Sequence, residues 1–273
     1  MTRATSAPAP AAGVGGPTRA RIAAKTLRTD RYWVQPALTA GLLFLFAVYA
    51  TWRAFENAHY FREPYLSPFY SPCVTGKCVP GSSDLGQWIP GDGWPLSPAL
   101  LILIFPLGFR LTCYYYRKAY YRAFWLSPPA CAVAEPHSSY SGETKFPLIF
   151  QNIHRYFLYF AALFAILLSW DAIHSFRNSH GDWGHMGLGT LILLVNAGLI
   201  WAYTLSCHSC RHIMGGRLKH FSAHPLRYKG WTIVSKLNTR HMQLAWTSLV
   251  WLVVTDFYIR ELATGALSDP RFF

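Results

Sequence analysis

Residues 148–173 read LIFQNIHRYFLYFAALFAILLSWDAI, and this stretch decides the fold. It contains two formal charges, Arg155 and Asp171, one towards each end. A helix rising about 1.5 Å per residue needs about 20 mostly apolar residues to cross the roughly 30 Å hydrocarbon layer of a membrane. Soluble core helices are usually shorter and amphipathic. Working outward, four more stretches have the same character, at about 36–52, 96–116, 185–207 and 241–258. The second holds Pro106 and Arg110, and the fourth has Asn196 as its only strongly polar interior residue.

The expected fold is therefore an all-α integral membrane protein. A bundle of five transmembrane helices occupies residues 32–262, after a disordered cytoplasmic tail (1–31) and before an outer C-terminal tail (263–273). The first tail is rich in Ala, Pro, Gly and Arg, a composition that cannot bury a core. A cleaved signal peptide is not expected, because the first apolar span starts late and lacks a small-residue cleavage site. A long outer loop, from about Phe55 to Trp94, is rich in Pro, Gly, Tyr and Trp and is expected to pack as a lid. No internal repeat is visible. Composition agrees: 52% of residues are apolar and 14% charged, against about 25% charged in an average soluble domain. This excludes a disordered protein, and six cysteines are too few for a disulfide-built scaffold.

Basic residues outnumber acidic ones 25 to 12. Such a surplus can mark nucleic-acid binding, so its distribution matters. With the N-terminus inside, 19 Lys and Arg fall on the inner side and six outside. The inner set includes the tail, the second-to-third connection and the run from Arg211 to Arg240. Among the acids only Asp30, Glu135 and Glu143 are inner. The positive-inside rule then sets the N-terminus in the cytoplasm and the C-terminus outside. No nucleic-acid partner is implied.

Topology also sorts the cysteines. Cys73 and Cys78 lie outside in Cys-Val-Thr-Gly-Lys-Cys, where the oxidising side and the glycine turn favour a disulfide; two free thiols are the alternative. Cys113, Cys131, Cys207 and Cys210 lie inside. Cys207-His-Ser-Cys210-Arg-His212 is the densest cluster of metal-ligand types, and on a helix residues three apart share a face. The alternative is two buried thiols acting as small apolar residues. Helical rise puts His154 near the inner face and His174 and His185 near the outer, while the fifth span starts inside with His241. Three helices thus bring Cys207, Cys210, His154 and His241 to one depth, with His208 and His212 close by.

Two Cys and two His are the ligands of a Rieske-type [2Fe–2S] cluster, in which imidazoles raise the potential. The soluble Rieske spacing is absent. Two alternatives stay open. One replaces a member of the CxxC pair by Cys113 or Cys131. The other is haem b held by histidines on facing helices, with an outer pair from His174 and His180 or His185. In another class stand a non-redox scaffold and a transporter; a transporter would show interrupted helices or an inverted repeat, and neither is evident.

Several segments carry a family resemblance: Thr112-Cys-Tyr-Tyr-Tyr-Arg-Lys-Ala-Tyr-Tyr-Arg122, Ser127-Pro-Pro-Ala-Cys131, Asn152-Ile-His-Arg-Tyr156, Ser206-Cys-His-Ser-Cys-Arg-His212 and Thr239-Arg-His241. With the five-span plan, they resemble the single-chain, cytochrome b-like membrane anchor of bacterial succinate dehydrogenase. The type resembled has no haem and carries a membrane-embedded Rieske-type cluster. The resemblance implies a multi-pass protein of the bacterial plasma membrane. It implies two cytoplasmic partners, a flavoprotein subunit that oxidises succinate on FAD and an iron–sulfur subunit with three clusters. This chain would pass the electrons to a quinone, menaquinone or ubiquinone. No G-x-G-x-x-G follows a strand, so the chain alone should not oxidise succinate. A higher oligomer of the complex is compatible with it. The basic runs Arg117–Arg122 and Arg211–Arg240 offer a docking face to the soluble subunits, although topology and anionic-lipid contact explain most of their charge. A quinone site needs apolar walls and a few donors. Candidates at the inner depth are Arg155, Tyr156, Arg110, Tyr203 and Trp246. Arg110 is a charge inside a span and a functional candidate by default, with snorkelling to the inner face as its alternative. Asp171 and Asp256, near the outer ends of their spans, are expected to pair with arginines.

Overall fold

The computed structural model describes residues 28–76, 78–88, 97–133, 144–146, 148–178 and 181–272. Most of the expected N-terminal tail, His180, and parts of the outer loop and of the second-to-third connection therefore lie outside the described residues. In chain order the elements are α1 (Val34–Glu56), a two-residue antiparallel pair β1 (Phe61–Arg62) and β2 (Tyr65–Leu66), α2 (Ala99–Ile102), α3 (Ile104–Thr112), α4 (Tyr114–Tyr120), α5 (His154–His174), α6 (Leu188–Leu205), α7 (His208–Gly215), α8 (Pro225–Asn238) and α9 (His241–Thr264). A π-helical turn, Tyr121–Trp125, follows α4, and a 3-10 stretch, Leu148–Ile153, leads into α5.

Among the described residues, four segments are long and apolar enough to cross a membrane: α1, Ile149–His174, α6 and α9. The expected second span differs. Its helical part Ala99–Thr112 is bent by 77° from Tyr114–Trp125, and only the bent pair taken together would count as a fifth crossing. At 1.5 Å per residue, Ala99–Thr112 extends about 21 Å, short of the hydrocarbon layer. The break is local. Cys113 leaves the helix in an extended conformation (φ −64°, ψ 133°), and Thr112 Oγ1 donates 2.7 Å back to the Gly108 carbonyl of the last turn. Pro106 does not cause it, since it sits in the first turn of α3, where no helical N–H is lost.

The chain divides into two units, residues 1–40 with 118–150 and residues 41–117 with 151–273. In the first, Arg28 chelates the Asp30 carboxylate and donates 2.8 Å to the Cys131 carbonyl. The second is the bundle. There α5 packs on α3 and α6, and α6 packs on α9. Loop residues Leu66, Phe69 and Tyr70 bury against Ala50 and Ala54 of α1 and against Ala99 and Leu103. Cys73 and Cys78 in the same loop are joined by a disulfide, Cα–Cα 5.6 Å.

The two intramembrane acids behave differently. Asp256 is wholly buried and takes Arg53 Nε at 2.7 Å, the Tyr49 hydroxyl at 2.5 Å and the Ser67 hydroxyl. Arg53 also binds Glu56, which meets Arg260 at 3.0 Å. Asp171 has no arginine among the described residues. It accepts the Ser71 hydroxyl, and its Oδ1 has no hydrogen-bond partner among the described residues.

Candidate functional site

Two helix ends build the site, and they carry the same five-residue pattern. α3 ends in Phe109-Arg-Leu-Thr112-Cys113, and α6 ends in Tyr203-Thr-Leu-Ser206-Cys207. Each pattern is an aromatic, a free position, Leu, a hydroxyl and Cys. In both, the cysteine has left the helix in an extended conformation, with Cys207 at φ −65° and ψ 143°. In both, the hydroxyl caps a carbonyl of its own helix, Thr112 on Gly108 at 2.7 Å and Ser206 on Tyr203 at 2.8 Å.

The other two helices contribute one histidine each, at their first residue: His154 opens α5 and His241 opens α9. The pairing is crossed. His154 has Nδ1 at 2.8 Å from Thr112 Oγ1 and Nε2 at 3.0 Å from Cys207 Sγ. His241 has Nδ1 at 2.7 Å from Ser206 Oγ and Nε2 at 3.3 Å from Cys113 Sγ. Each hydroxyl–cysteine dipeptide thus sends its hydroxyl to one imidazole and its thiol to the other. The rings are also stacked alike, His154 on Phe109 (centroids 4.7 Å, planes 8° apart) and His241 on Tyr203 (5.3 Å, 7°). All four side chains are buried.

Arg110 lies behind this layer. It is buried, so it does not snorkel. Its guanidinium donates to the Tyr116 hydroxyl (2.8 Å), Ser248 Oγ (3.1 Å) and the Ala245 carbonyl (3.3 Å), and lies 4.6 Å from the Tyr203 ring centre. Among the described residues no carboxylate meets it. The Tyr203 hydroxyl is buried.

The remaining expected site residues are dispersed. Cys207 caps the start of α7 instead of lying within a helix, so it shares no helical face with Cys210. Cys210 is half-buried against the same apolar cluster; burial pushes its thiol up, and among the described residues it makes no hydrogen bond to either imidazole. His208 is edge-on to His241 at 6.2 Å, and His212 Nδ1 is 3.2 Å from Arg155. A cavity of about 420 Å³ opens beside the four buried donors and is lined further by Arg155, Tyr156, His208 and His212. Trp246 is apart from it and donates 2.5 Å to the Tyr115 hydroxyl. Cys131 is exposed and belongs to the smaller unit. His174 packs near Trp170 and Trp183, and His185 Nε2 is 3.2 Å from Asn178 Nδ2. Among the described residues, no three His, Cys, Asp or Glu side chains already close on one point; the donors meet as two thiol–imidazole pairs.

Reading the sequence residue by residue passes over Phe109, Thr112 and Ser206. The repeated aromatic-x-Leu-hydroxyl-Cys pattern is the signal that finds them.

Residues 34–265 match the family model of the actinobacterial succinate dehydrogenase subunit SdhC. No curated protein matches the chain. Among solved structures, a chain of the Mycobacterium smegmatis Sdh1 complex in the apo form is similar, at 58% identity and TM-score 0.84, covering 96% of this chain and 100% of that one.

Proposed function

The chain belongs to the actinobacterial succinate dehydrogenase subunit SdhC family, and from that premise we propose that it relays electrons through a buried Cys–His centre to a quinone. It is a subunit of an enzyme complex and does not oxidise succinate alone. Its partners are the flavoprotein and iron–sulfur subunits, and it anchors them at the bacterial plasma membrane. The basic connections face the cytoplasm on this reading, with the N-terminus inside and the C-terminus outside.

The donor set fits a Rieske-type [2Fe–2S] group, which takes two thiolates and two neutral imidazoles. Cys113, Cys207, His154 and His241 would hold it, with Cys113 in the role first expected of Cys210. The observation that carries the reading is the crossed pairing, in which each imidazole already turns Nε2 to a sulfur (3.0 and 3.3 Å). Bound there, the cluster supplies a one-electron relay at a higher potential than an all-cysteine cluster. The haem b reading has less support, since it leaves both thiols facing the imidazole nitrogens without a task.

The residues around the centre have separable duties. Phe109 and Tyr203 keep water off the ring faces. Arg155 and Tyr156 line the cavity next to the imidazoles and are the donors nearest a quinone headgroup held there. Arg110 and Tyr203 back the centre from the bundle interior.

Iron and acid-labile sulfide in the whole complex, purified from native membranes, test the ligand set. Cys113→Ala and His154→Ala should each remove two irons and two sulfides per complex, and Cys210→Ala should remove none. A sharp reduced alpha band of haem, or loss in Cys210→Ala with retention in Cys113→Ala, would overturn the assignment.

A further inference from the structure

We propose that Thr112 and Ser206 are positioning residues that lock the two imidazoles in one tautomer and one ring plane, and that the two aromatic-x-Leu-hydroxyl-Cys segments work as matched halves of one centre. The proposal rests on the cluster reading above and deepens it.

The hydrogen-bond directions follow by elimination. A hydroxyl has one proton. Thr112 Oγ1 lies 2.7 Å from the Gly108 carbonyl, and Ser206 Oγ lies 2.8 Å from the Tyr203 carbonyl. A carbonyl oxygen only accepts, so each hydroxyl proton is committed to it. The remaining contacts, to His154 Nδ1 at 2.8 Å and His241 Nδ1 at 2.7 Å, then require the ring nitrogen to donate. A neutral imidazole with its proton on Nδ1 has a bare lone pair on Nε2. In both rings that atom is the one facing sulfur. The same relay, ring N–H to hydroxyl to helix carbonyl, thus occurs twice, and both times it presents Nε2 as the ligand.

Ring orientation is fixed by the same segments. The aromatic residue three positions before each hydroxyl stacks on the imidazole that the hydroxyl holds, within 8° of parallel. One turn of α3 thereby sets both the tautomer and the plane of His154, and one turn of α6 does so for His241. A ligating imidazole whose other N–H is accepted is a more basic ligand, and loss of such an acceptor typically costs about 10–100-fold in metal affinity or activity. Removal of the acceptor also makes the ring a poorer donor to ferric iron, so the reduced state gains relative to the oxidised.

The test uses the whole complex with this subunit carrying Thr112→Val, Ser206→Ala or the conservative Thr112→Ser and Ser206→Thr. Three quantities are read: iron and sulfide per complex, the midpoint potential of the membrane cluster by EPR-monitored titration, and the remote-nitrogen couplings of ¹⁵N-histidine by pulsed EPR. Thr112→Val and Ser206→Ala should each lower cluster retention or raise the midpoint, and should change one remote-nitrogen coupling, while the hydroxyl-keeping variants return to wild type. A tenfold change in the relative stability of the two redox states is a shift of about 59 mV for one electron. If a Val or Ala variant does not assemble, the wild-type spectrum still decides: two protonated, hydrogen-bonded remote nitrogens support the proposal, and a deprotonated one overturns it. Wild-type retention, midpoint and couplings in both hydroxyl-deleted variants overturn it as well. Failure of the underlying cluster reading is separately visible, because the wild-type complex would then hold no iron that His154→Ala removes.

Discussion

Replacement of Arg110 by Met gives the most quantitative check on how the bundle interior acts on the proposed centre. Arg110 is a buried cation with no carboxylate partner among the described residues. Its guanidinium lies 4.6 Å from the Tyr203 ring centre, and Tyr203 lies 5.3 Å from the ring centre of His241, so the charge is at most about 10 Å from that imidazole. At an effective dielectric constant of about 20, a unit charge at about 10 Å is worth about 1.7 kcal/mol. An electron arriving at the His241 side is stabilised by that amount. With about 59 mV for each tenfold step, or about 1.4 kcal/mol, Arg110→Met should lower the cluster midpoint by about 70 mV.

Met keeps the apolar stem, and the Tyr116 hydroxyl keeps its own bond to the Ala245 carbonyl at 2.8 Å, so the local packing has little reason to move. Arg110→Lys retains the charge and should keep most of the potential. The assay is an EPR redox titration of the purified complex, with iron content as the control for occupancy. A midpoint unchanged in Arg110→Met, or raised, would refute the electrostatic argument. A lowered midpoint in Arg110→Lys equal to that of Met would show that geometry, not charge, was responsible.

Three further outcomes concern the scaffold. Asp256→Leu strips Arg53 of its fully buried carboxylate partner, leaving only Glu56, and should cost up to about 3 kcal/mol, read as a lower melting temperature of the detergent-solubilised complex; adding Arg53→Met should recover part of the loss, and a double variant no more stable than the single one would contradict the ion-pair account. Gly189→Ala puts a Cβ at 2.7–2.9 Å from the ring of buried Tyr65, whose hydroxyl is held by Asp269 at 2.6 Å; overpacking of this kind costs about 1–3 kcal/mol, and an unshifted melt would show that the ring gives way. Thiol labelling of membranes should find Cys73 and Cys78 only after reduction, and Cys73→Ser should cost about 2 kcal/mol by loop-closure entropy, so two thiols labelled without reductant would exclude the bridge.

The long apolar spans were legible because hydrophobic burial in lipid depends on composition over about 20 residues and little on neighbours. The same reasoning could not see the break at Cys113, since neither Thr112 nor Cys113 is a helix breaker by propensity. The contact made at that break is long-range and carries no local signal: Cys113 Sγ meets His241 Nε2, 128 residues away. The shared helical face expected of Cys207 and Cys210 fails for a related reason. Spacing of three implies a shared face only on a continuous helix, and the chain is extended at Cys207, between α6 and α7. Both deviations occur at the fifth residue of the repeated segment. At both helix ends a hydroxyl donates to a carbonyl of its own helix and the next residue is extended. The same hydroxyl oxygen meets an imidazole, Thr112 at the end of α3 and Ser206 just beyond α6. Helix propensity is blind to this arrangement because neither residue's intrinsic preference is strong, whereas a search for two like helix ends, each with a cysteine one residue beyond a Ser or Thr, would have found both halves of the proposed centre from the sequence.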